Sequence, residues 1–308
     1  MTAHYSESPA EKQRTVENLS EARSPWQDSL ARFRSNRGAV VSFFALCLIL
    51  LFAGSGSLLA AWPIDQIDFA VMIDVPNLGA PSFSNGHYFG VDELGRDLFA
   101  RTVQGTQISL AVGIVGASIA VVVGTVYGAV AGFVGGRVDA LMMRLVDILL
   151  AIPYMFVLIL MLVMFGRSIV ILFVGIGLLA WLDMSRIVRG QTLSLKHKDY
   201  VEAARATGVS SAVIIRRHIL PNLISIVIVY ATLLVPGMIL AESFISFLGL
   251  GVQEPQTSLG ALISEGAKTM SYGMLWQLAF PLLFFISTLC SLYFIGDGLR
   301  DALDPKDR

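Results

Sequence analysis

The sequence predicts an all-α integral membrane protein with six transmembrane helices. Three observations predict this fold: 55 % of the 308 residues are hydrophobic, only 15 % are charged, and uncharged residues form long runs. Soluble domains carry about 25 % charged residues, and a helix needs about 20 apolar residues to cross the hydrocarbon core. The formal net charge of −1 gives no indication of a nucleic-acid partner.

Six uncharged runs supply the predicted spans. They lie between Arg37 and Asp65, Arg101 and Arg137, Asp147 and Arg167, Arg167 and Asp183, His218 and Glu242, and Lys268 and Asp297. The fourth run is short for a span, so we expect its helix to extend past Asp183. A lipid bilayer is therefore the expected environment of most of the chain.

The positions of the basic residues predict the orientation. Of the 22 Lys and Arg residues, 18 fall in the segments 1–37, 137–147, 183–218 and 297–308. The segment 63–106 is instead rich in Asp and Glu. Because basic residues are retained on the cytoplasmic side, both termini are predicted to be cytoplasmic and 63–106 to lie outside.

These boundaries divide the chain into three parts. Residues 1–37 form a cytoplasmic segment, in which Ser24 and Pro25 are typical of the start of an interfacial helix; a solvated basic leader is the alternative. Residues 38–106 hold the first transmembrane helix and an extracytoplasmic loop. Residues 107–308 form a core of five transmembrane helices with a cytoplasmic loop at 183–218.

A row of small residues marks the second span. They recur every four positions at Gly116, Ala120, Gly124, Gly128, Gly132 and Gly136. Such a row lets a neighbouring helix approach closely, so we predict a helix-packing seam at Gly116, Gly124, Gly128 and Gly132. The row does not by itself indicate a role in a pore.

The sequence gives no indication of catalysis or metal binding. The run 175–180 imitates a dinucleotide fingerprint but lies within a span, and 260–269 departs from the spacing of a P-loop. The four histidines lack the spacing of metal ligands. We therefore expect no catalytic residue, no metal site and no cofactor bound by this chain.

The loop 183–218 carries the most informative pattern. Asp199 followed by Glu202 resembles a capping box that starts a short helix, and Gly208 is suited to the left-handed turn that ends one. Ser210 or Ser211 is then expected to cap a second short helix. The alanines between these signals predict a surface of low relief against which another protein can pack.

Glu202-Ala203-Ala204, Gly208 and Leu220-Pro221 together resemble the EAA loop of binding-protein-dependent ABC importers. The resemblance implies a coupling helix that docks on an ATPase subunit. His218 departs from the pattern, since many members have an apolar residue there. The docking residues implied are Lys196, Lys198, Asp199, Glu202, Ala203, Ala204, Arg205, Gly208 and Arg216.

Further motifs extend the resemblance over nearly the whole chain. They are 87–97, 190–196, 242–251 and 296–306, and they are similar to permeases of dipeptide, oligopeptide and nickel importers, most of all to the oligopeptide branch. The resemblance implies a multi-pass subunit of a bacterial inner membrane. Its implied partners are a homologous second permease, two cytoplasmic ATPase subunits that hold ATP and Mg, an extracytoplasmic peptide-binding protein and the peptide.

Glu242, with Phe244 and Phe247 beside it, is a candidate for a pore or gate at the outer end of the fifth span. The alternative is an interfacial acid that only marks where the helix leaves the membrane. Two other functional classes compete with the importer: an intramembrane enzyme, and an ATP-independent channel or secondary carrier. Dipeptides, nickel and murein peptides are the alternative substrates within the family.

Overall fold

The computed structural model describes residues 25–303, and all regular elements within that range are helices. The helices are α1 Pro25–Ser35, α2 Arg37–Leu59, α3 Phe69–Met72, α4 Val75–Leu78, α5 Leu98–Val134, α6 Gly136–Leu150, α7 Tyr154–Phe165, α8 Ile169–Leu195, α9 Asp199–Ala206, α10 Ser211–Ile214, a π-helical turn Ile215–Ile219, α11 Leu220–Phe247, α12 Leu259–Thr269, a 3-10 turn Met270–Tyr272 and α13 Trp276–Leu303. Ser24 and 304–306, which belong to the predicted helix start and the last motif, lie outside the described residues.

Six spans can be assigned, which confirms the predicted fold class. Five helices are each long and apolar enough to cross a membrane: α2, α5, α8, the continuous helix 211–247 and α13. The sixth span consists of α6 and α7 together, which bend by 75° at their junction. Pro153 stands at this junction, and proline interrupts a helix because it has no backbone N–H to donate.

Two span boundaries differ from the prediction. The third span begins at Gly136 rather than near Asp147, because α6 continues the chain directly after α5. The fourth span, α8, runs past Asp183 to Leu195, as expected of the short fourth run. Residues 183–195, which the prediction placed in the cytoplasmic loop, therefore continue a transmembrane helix.

The spans alternate in direction, so their connections lie on two opposite faces. Gly298 packs on Ala39 near one end of α2, and Phe52 stacks on Phe284 toward its other end, with 4.2 Å between ring centroids. One face carries α1, the segment 196–210 and the end of α13. We call it the hairpin face, because the short helices α9 and α10 form a helical hairpin there. The face that carries 60–97 and 248–275 is the loop face.

Helices α5 and α8 form the most extensive helix pair in the fold. They run parallel, because Gly124 lies against Met184 and Gly132 lies against Thr192. A Cβ atom added to Gly128 would lie 2.3 Å from the carbonyl oxygen of Ser185. The row of small residues therefore allows the two main chains to touch. Gly136, the last member of the row in the sequence, is not part of this contact: it begins α6, and a Cβ atom added there would meet nothing within 4 Å.

This geometry predicts that Gly128→Ala destabilises the protein. A methyl group at this position must displace the backbone of α8, at a cost of about 1–3 kcal/mol or more. We expect a lower melting temperature of the purified protein in detergent.

Gly54→Ala is the matched control, because Gly54 lies within α2 and a Cβ there meets nothing within 4 Å. Since alanine favours helices over glycine by about 0.5–1 kcal/mol, this variant should be neutral or slightly stabilised. Equal melting temperatures for the two variants would contradict the packing seam.

Candidate functional site

The chain between α8 and α11 forms a helical hairpin, made of α9, the turn at Gly208 and α10. Gly208 adopts φ +80°, a left-handed conformation that glycine accepts without strain. Its N–H donates to the carbonyl of Arg205 at 2.9 Å, and Val209 N–H donates to that of Ala204 at 3.1 Å. This pair of bonds is a Schellman motif, which closes the helix end and turns the chain sharply.

The helix starts differ from the predicted caps. Asp199 is the first residue of α9 rather than its N-cap, and the N-cap, Lys198, makes no side-chain capping bond. Ser210 is the N-cap of α10, again without a side-chain bond. Helix α10 is not separate from the fifth span, because the π-helical turn joins it to α11 and Pro221 lies in the first turn of α11. The hairpin thus leads directly into a transmembrane helix.

Apolar contacts hold the hairpin against the spans. Val201 of α9 and Ile214 of α10 are buried in one cluster with Phe133 of α5 and Val188 of α8. The guanidinium carbon of Arg205 lies 4.7 Å from the centre of the Phe133 ring, a cation–π contact. The hairpin is therefore fixed to the ends of α5 and α8 rather than free to swing.

Two polar contacts strengthen this attachment. Lys196 Nζ donates to the carbonyl oxygen of Gly132 at 3.1 Å, which joins the end of α8 to the end of α5. Arg189 Nη2 donates to Asp139 Oδ2 at 2.7 Å and so ties α8 to α6. The carbonyl of Gly132 is near the C-terminus of α5, where a cation is favourably placed.

Most residues of the predicted docking loop are exposed on the hairpin face. The exposed ones are Lys198, Asp199, Glu202, Ala203, Arg205, Gly208 and Arg216. Lys196 is only partly exposed because of its bond to Gly132. Ala204 is partly buried against the apolar cluster, so its side chain supports the hairpin from within, and Ala203 presents the outer surface instead. Small side chains around Gly208 leave this surface open to a partner.

Glu242 is fully buried in α11, in contrast to an interfacial acid. Its carboxylate accepts hydrogen bonds from the hydroxyls of Ser246 at 2.6 Å, Ser109 at 3.2 Å and Ser243 at 3.2 Å. The Ser109 hydroxyl oxygen in turn accepts from the N–H of Leu259 at 3.3 Å. Glu242 thus connects α5 and α11 to the start of α12.

Phe244 and Phe247 do not share the surroundings of Glu242. Both are about half exposed, at 50 % and 48 %, and they line a small apolar cavity of about 180 Å³ with Gly260 and Phe285. The structure therefore separates the acid from the two rings that were grouped with it. A pore or gate role for these residues stays a prediction.

The loop face contains a buried histidine between two acids. His87 is fully buried, with its Nδ1 2.9 Å from Asp97 Oδ1 and its Nε2 3.4 Å from Asp68 Oδ2. Trp62 stacks on the imidazole with 4.8 Å between ring centroids. Burial raises the pKa of the Asp97 carboxyl, and hydrogen bonds from the Ala100 N–H and His87 oppose that rise.

An ionic network lies beside this histidine. Arg101 is almost fully buried and donates to Asp92 at 2.7 Å and to Glu265 at 3.0 Å. Arg96 donates to the same Asp92 at 2.7 Å and to Glu254 at 2.9 Å. Burial raises the pKa of the Glu265 carboxyl, and the Arg101 charge opposes that rise. These contacts join the first loop to the segment around α12.

Sequence analysis missed this network. Asp92, Arg96 and Arg101 lie in the segment 63–106 that was predicted to be outside, but Glu254 and Glu265 lie more than 150 positions away in the chain. Their pairing follows from the way α12 folds back between the spans, for which no local sequence signal exists. Within residues 25–303, no group of three or more His, Cys, Asp or Glu residues is placed to hold a metal ion.

Two protein families match this chain. The family described as binding-protein-dependent transport system inner membrane component matches residues 124–308. The family described as the N-terminal TM domain of oligopeptide transport permease C matches residues 24–81. The first match includes Gly124, Gly128 and Gly132 of the glycine seam, the hairpin and the buried Glu242.

Individual relatives are similar over nearly their full lengths. The oligopeptide transport system permease protein OppC of Escherichia coli (strain K12) is 54 % identical over 299 residues, which cover 96 % of this chain and 97 % of that protein. The protein of the same name from Haemophilus influenzae is 50 % identical, covering 94 % and 91 %. The dipeptide transport system permease protein DppC of Bacillus subtilis is 40 % identical, covering 92 % and 86 %.

The ionic network predicts that Arg101→Gln destabilises the fold. Removing the cation leaves the buried Asp92 and the partly buried Glu265 without this positive charge. Breaking a buried ion pair by removing one partner lowers the free energy of unfolding by about 3 kcal/mol or more. We expect a clearly lower melting temperature in detergent. Arg167→Gln is the control, since Arg167 is exposed and makes one bond, to the Gly249 carbonyl at 3.3 Å. A melting temperature for Arg101→Gln equal to that of the control would contradict the importance of the network.

Proposed function

Because this chain belongs to the family of binding-protein-dependent transport system inner membrane components, we propose that it is the permease subunit of an ATP-binding cassette importer and forms half of the path for oligopeptides. The observation that carries this proposal is the exposed hairpin 199–214, which is fixed to the ends of two transmembrane helices. Such an element can receive a push from a cytoplasmic partner and pass it to the spans.

Peptide transport is supported by the relatives. The proteins named as oligopeptide permeases reach 54 % identity, whereas the one named as a dipeptide permease reaches 40 %. Oligopeptides are therefore the first substrate class to test, and dipeptides are the second. Because peptides share a backbone while their side chains vary, we expect a wide and tolerant path rather than a close-fitting pocket.

The proposed complex contains four kinds of protein chain. A homologous permease completes the path, two ATPase subunits bind ATP and Mg on the cytoplasmic side, and a peptide-binding protein delivers the substrate from outside. In this arrangement the permease binds no cofactor and hydrolyses no ATP. The hairpin face then points to the cytoplasm with both termini, in a bacterial inner membrane, as the excess of basic residues on that side favours.

The proposed mechanism follows from the way the hairpin is attached. Closure of the ATPase dimer on ATP displaces the hairpin, and the cluster around Phe133 transfers that displacement to α5 and α8. These helices move together because their main chains touch along the glycine seam. The permease pair then changes between inward-open and outward-open states, an exchange that both ATP and peptide can bias.

The docking role predicts that Ala203→Trp weakens binding of the ATPase subunit. A bulky ring on an exposed small-residue surface holds the partner away, whereas Val201 and Ile214, which anchor the hairpin, are unchanged. We expect at least about tenfold weaker retention of the ATPase, which corresponds to about 1.4 kcal/mol. Co-purification of the tagged permease with its ATPase subunits measures this directly.

Ala267→Trp provides the matched control. Ala267 is also an exposed helical alanine, but it lies in α12 on the loop face. This variant should retain the ATPase at the wild-type level. If Ala203→Trp retains it equally well, the hairpin is not the docking element and the importer mechanism proposed above loses its main support.

A further inference from the structure

A groove opens in the membrane-spanning part of the chain, at the bend between α6 and α7. It has a volume of about 350 Å³, and its walls come from this bend, from α8 and from α11. Pockets for small ligands have volumes of about 300–1,000 Å³. Apolar residues form nearly all of its lining, including Leu179, Leu234 and Met238, and Asp183 is the one charged residue among the described residues that line it.

The position of Asp183 is costly for a charged group. About 20 residues of a helix cover the hydrocarbon core, and counted from Ile169 that length ends near Val188. Asp183 therefore lies at membrane depth, and its side chain is exposed rather than packed inside the chain. A carboxylate in such a place needs water or a cation beside it, because contact with acyl chains is unfavourable.

Among the described residues, no cation meets the Asp183 carboxylate. The two other charged residues of α8 are arginines that pair with aspartates of α6: Arg186 with Asp147, and Arg189 with Asp139. Asp183 has no hydrogen-bond or ion-pair partner in residues 25–303. The groove thus offers one uncompensated negative charge to whatever occupies it.

The chemistry of the groove selects the class of occupant. A single carboxylate among apolar walls lacks the six or so oxygen ligands that Mg²⁺ or Ca²⁺ requires. It suits an ammonium group attached to an apolar body, which can form a charge-assisted hydrogen bond with the carboxylate while the walls contact the rest. A peptide provides this combination at its N-terminus or at a lysine side chain.

We propose that this groove is part of the translocation path and that Asp183 contacts an ammonium group of the peptide in transit. The proposal rests on the proposed function, since it assumes that peptides pass through this chain. It identifies a contact that distinguishes positively charged substrate groups within an otherwise unselective path.

The test uses the complete importer reconstituted in lipid vesicles, with the peptides Ala-Gln-Ala and Ala-Lys-Ala. Asp183→Asn should raise the KM for transport about tenfold, since a charge-assisted bond to the peptide is lost. Asp183→Glu should restore most of the affinity. Asp301→Asn, the same change at an exposed carboxylate in the last turn of α13, is the control.

The two peptides distinguish the source of the ammonium group. An equal loss for both assigns the contact to the N-terminal amine, and a loss confined to Ala-Lys-Ala assigns it to the lysine side chain. Wild-type transport of both by Asp183→Asn would overturn the proposal. If the wild-type complex itself transports neither peptide, the proposed function fails first, before any variant is compared.

A second measurement covers the case in which Asp183→Asn does not assemble. Asp183→Cys is introduced after Cys47 and Cys290 have been replaced by serine, and a cationic methanethiosulfonate is added to the vesicles. The reagent should label this cysteine, and transported peptide should slow the labelling. Val174→Cys lies nine residues, or about two and a half turns, before position 183 and therefore on the opposite side of α8, and it should stay unlabelled.

Two results of this labelling would overturn the proposal. The first is no labelling at position 183, which would place the residue in a sealed contact rather than in a wet path. The second is labelling that transported peptide does not slow. A separate result would also overturn the proposal. If neutralising a basic residue of the second permease restores function to the Asp183→Asn variant, Asp183 belongs to the contact between the two permeases.

Discussion

The main chains of α5 and α8 touch along a row of glycines, and other parts of the structure take their positions from this contact. Added Cβ atoms at Gly124 and Gly128 would lie within 2.6 Å of α8 atoms, so no other residue fits without moving a helix. In a membrane, where apolar side chains gain little by leaving lipid, such close packing is a main source of association between helices. Helix α8 then presents Asp183 to the groove and delivers the chain to the hairpin at its end.

Attachment of the hairpin depends on the same helix pair. Phe133 of α5 and Val188 of α8 both contact the apolar cluster that receives Val201 and Ile214. A force on the exposed surface around Ala203 therefore acts on two transmembrane helices at once. The loop face is organised separately, by Arg101 and its acidic partners and by Glu242 with its serines, so the two faces can serve different partners.

Periodicity and charge predicted the parts of the fold that depend on local sequence. Six apolar runs predicted six spans, and the requirement for a left-handed turn predicted the conformation of Gly208. The bend at Pro153 and the continuation of α8 as far as Leu195 were not predicted. Charged residues were taken as span limits, although aspartates of a neighbouring helix compensate Arg186 and Arg189. Contacts between distant segments, such as Arg101 with Glu265, have no local signature at all.

In the proposed importer, the hairpin is the element through which ATP acts on this chain. Hydrogen–deuterium exchange of the permease pair, with and without the ATPase subunits and a non-hydrolysable ATP analogue, tests it most directly. We expect slower exchange at backbone amides of 199–212 when the ATPase binds, and unchanged exchange in 60–97 on the loop face. Unchanged exchange in 199–212, with protection elsewhere on the chain, would contradict it.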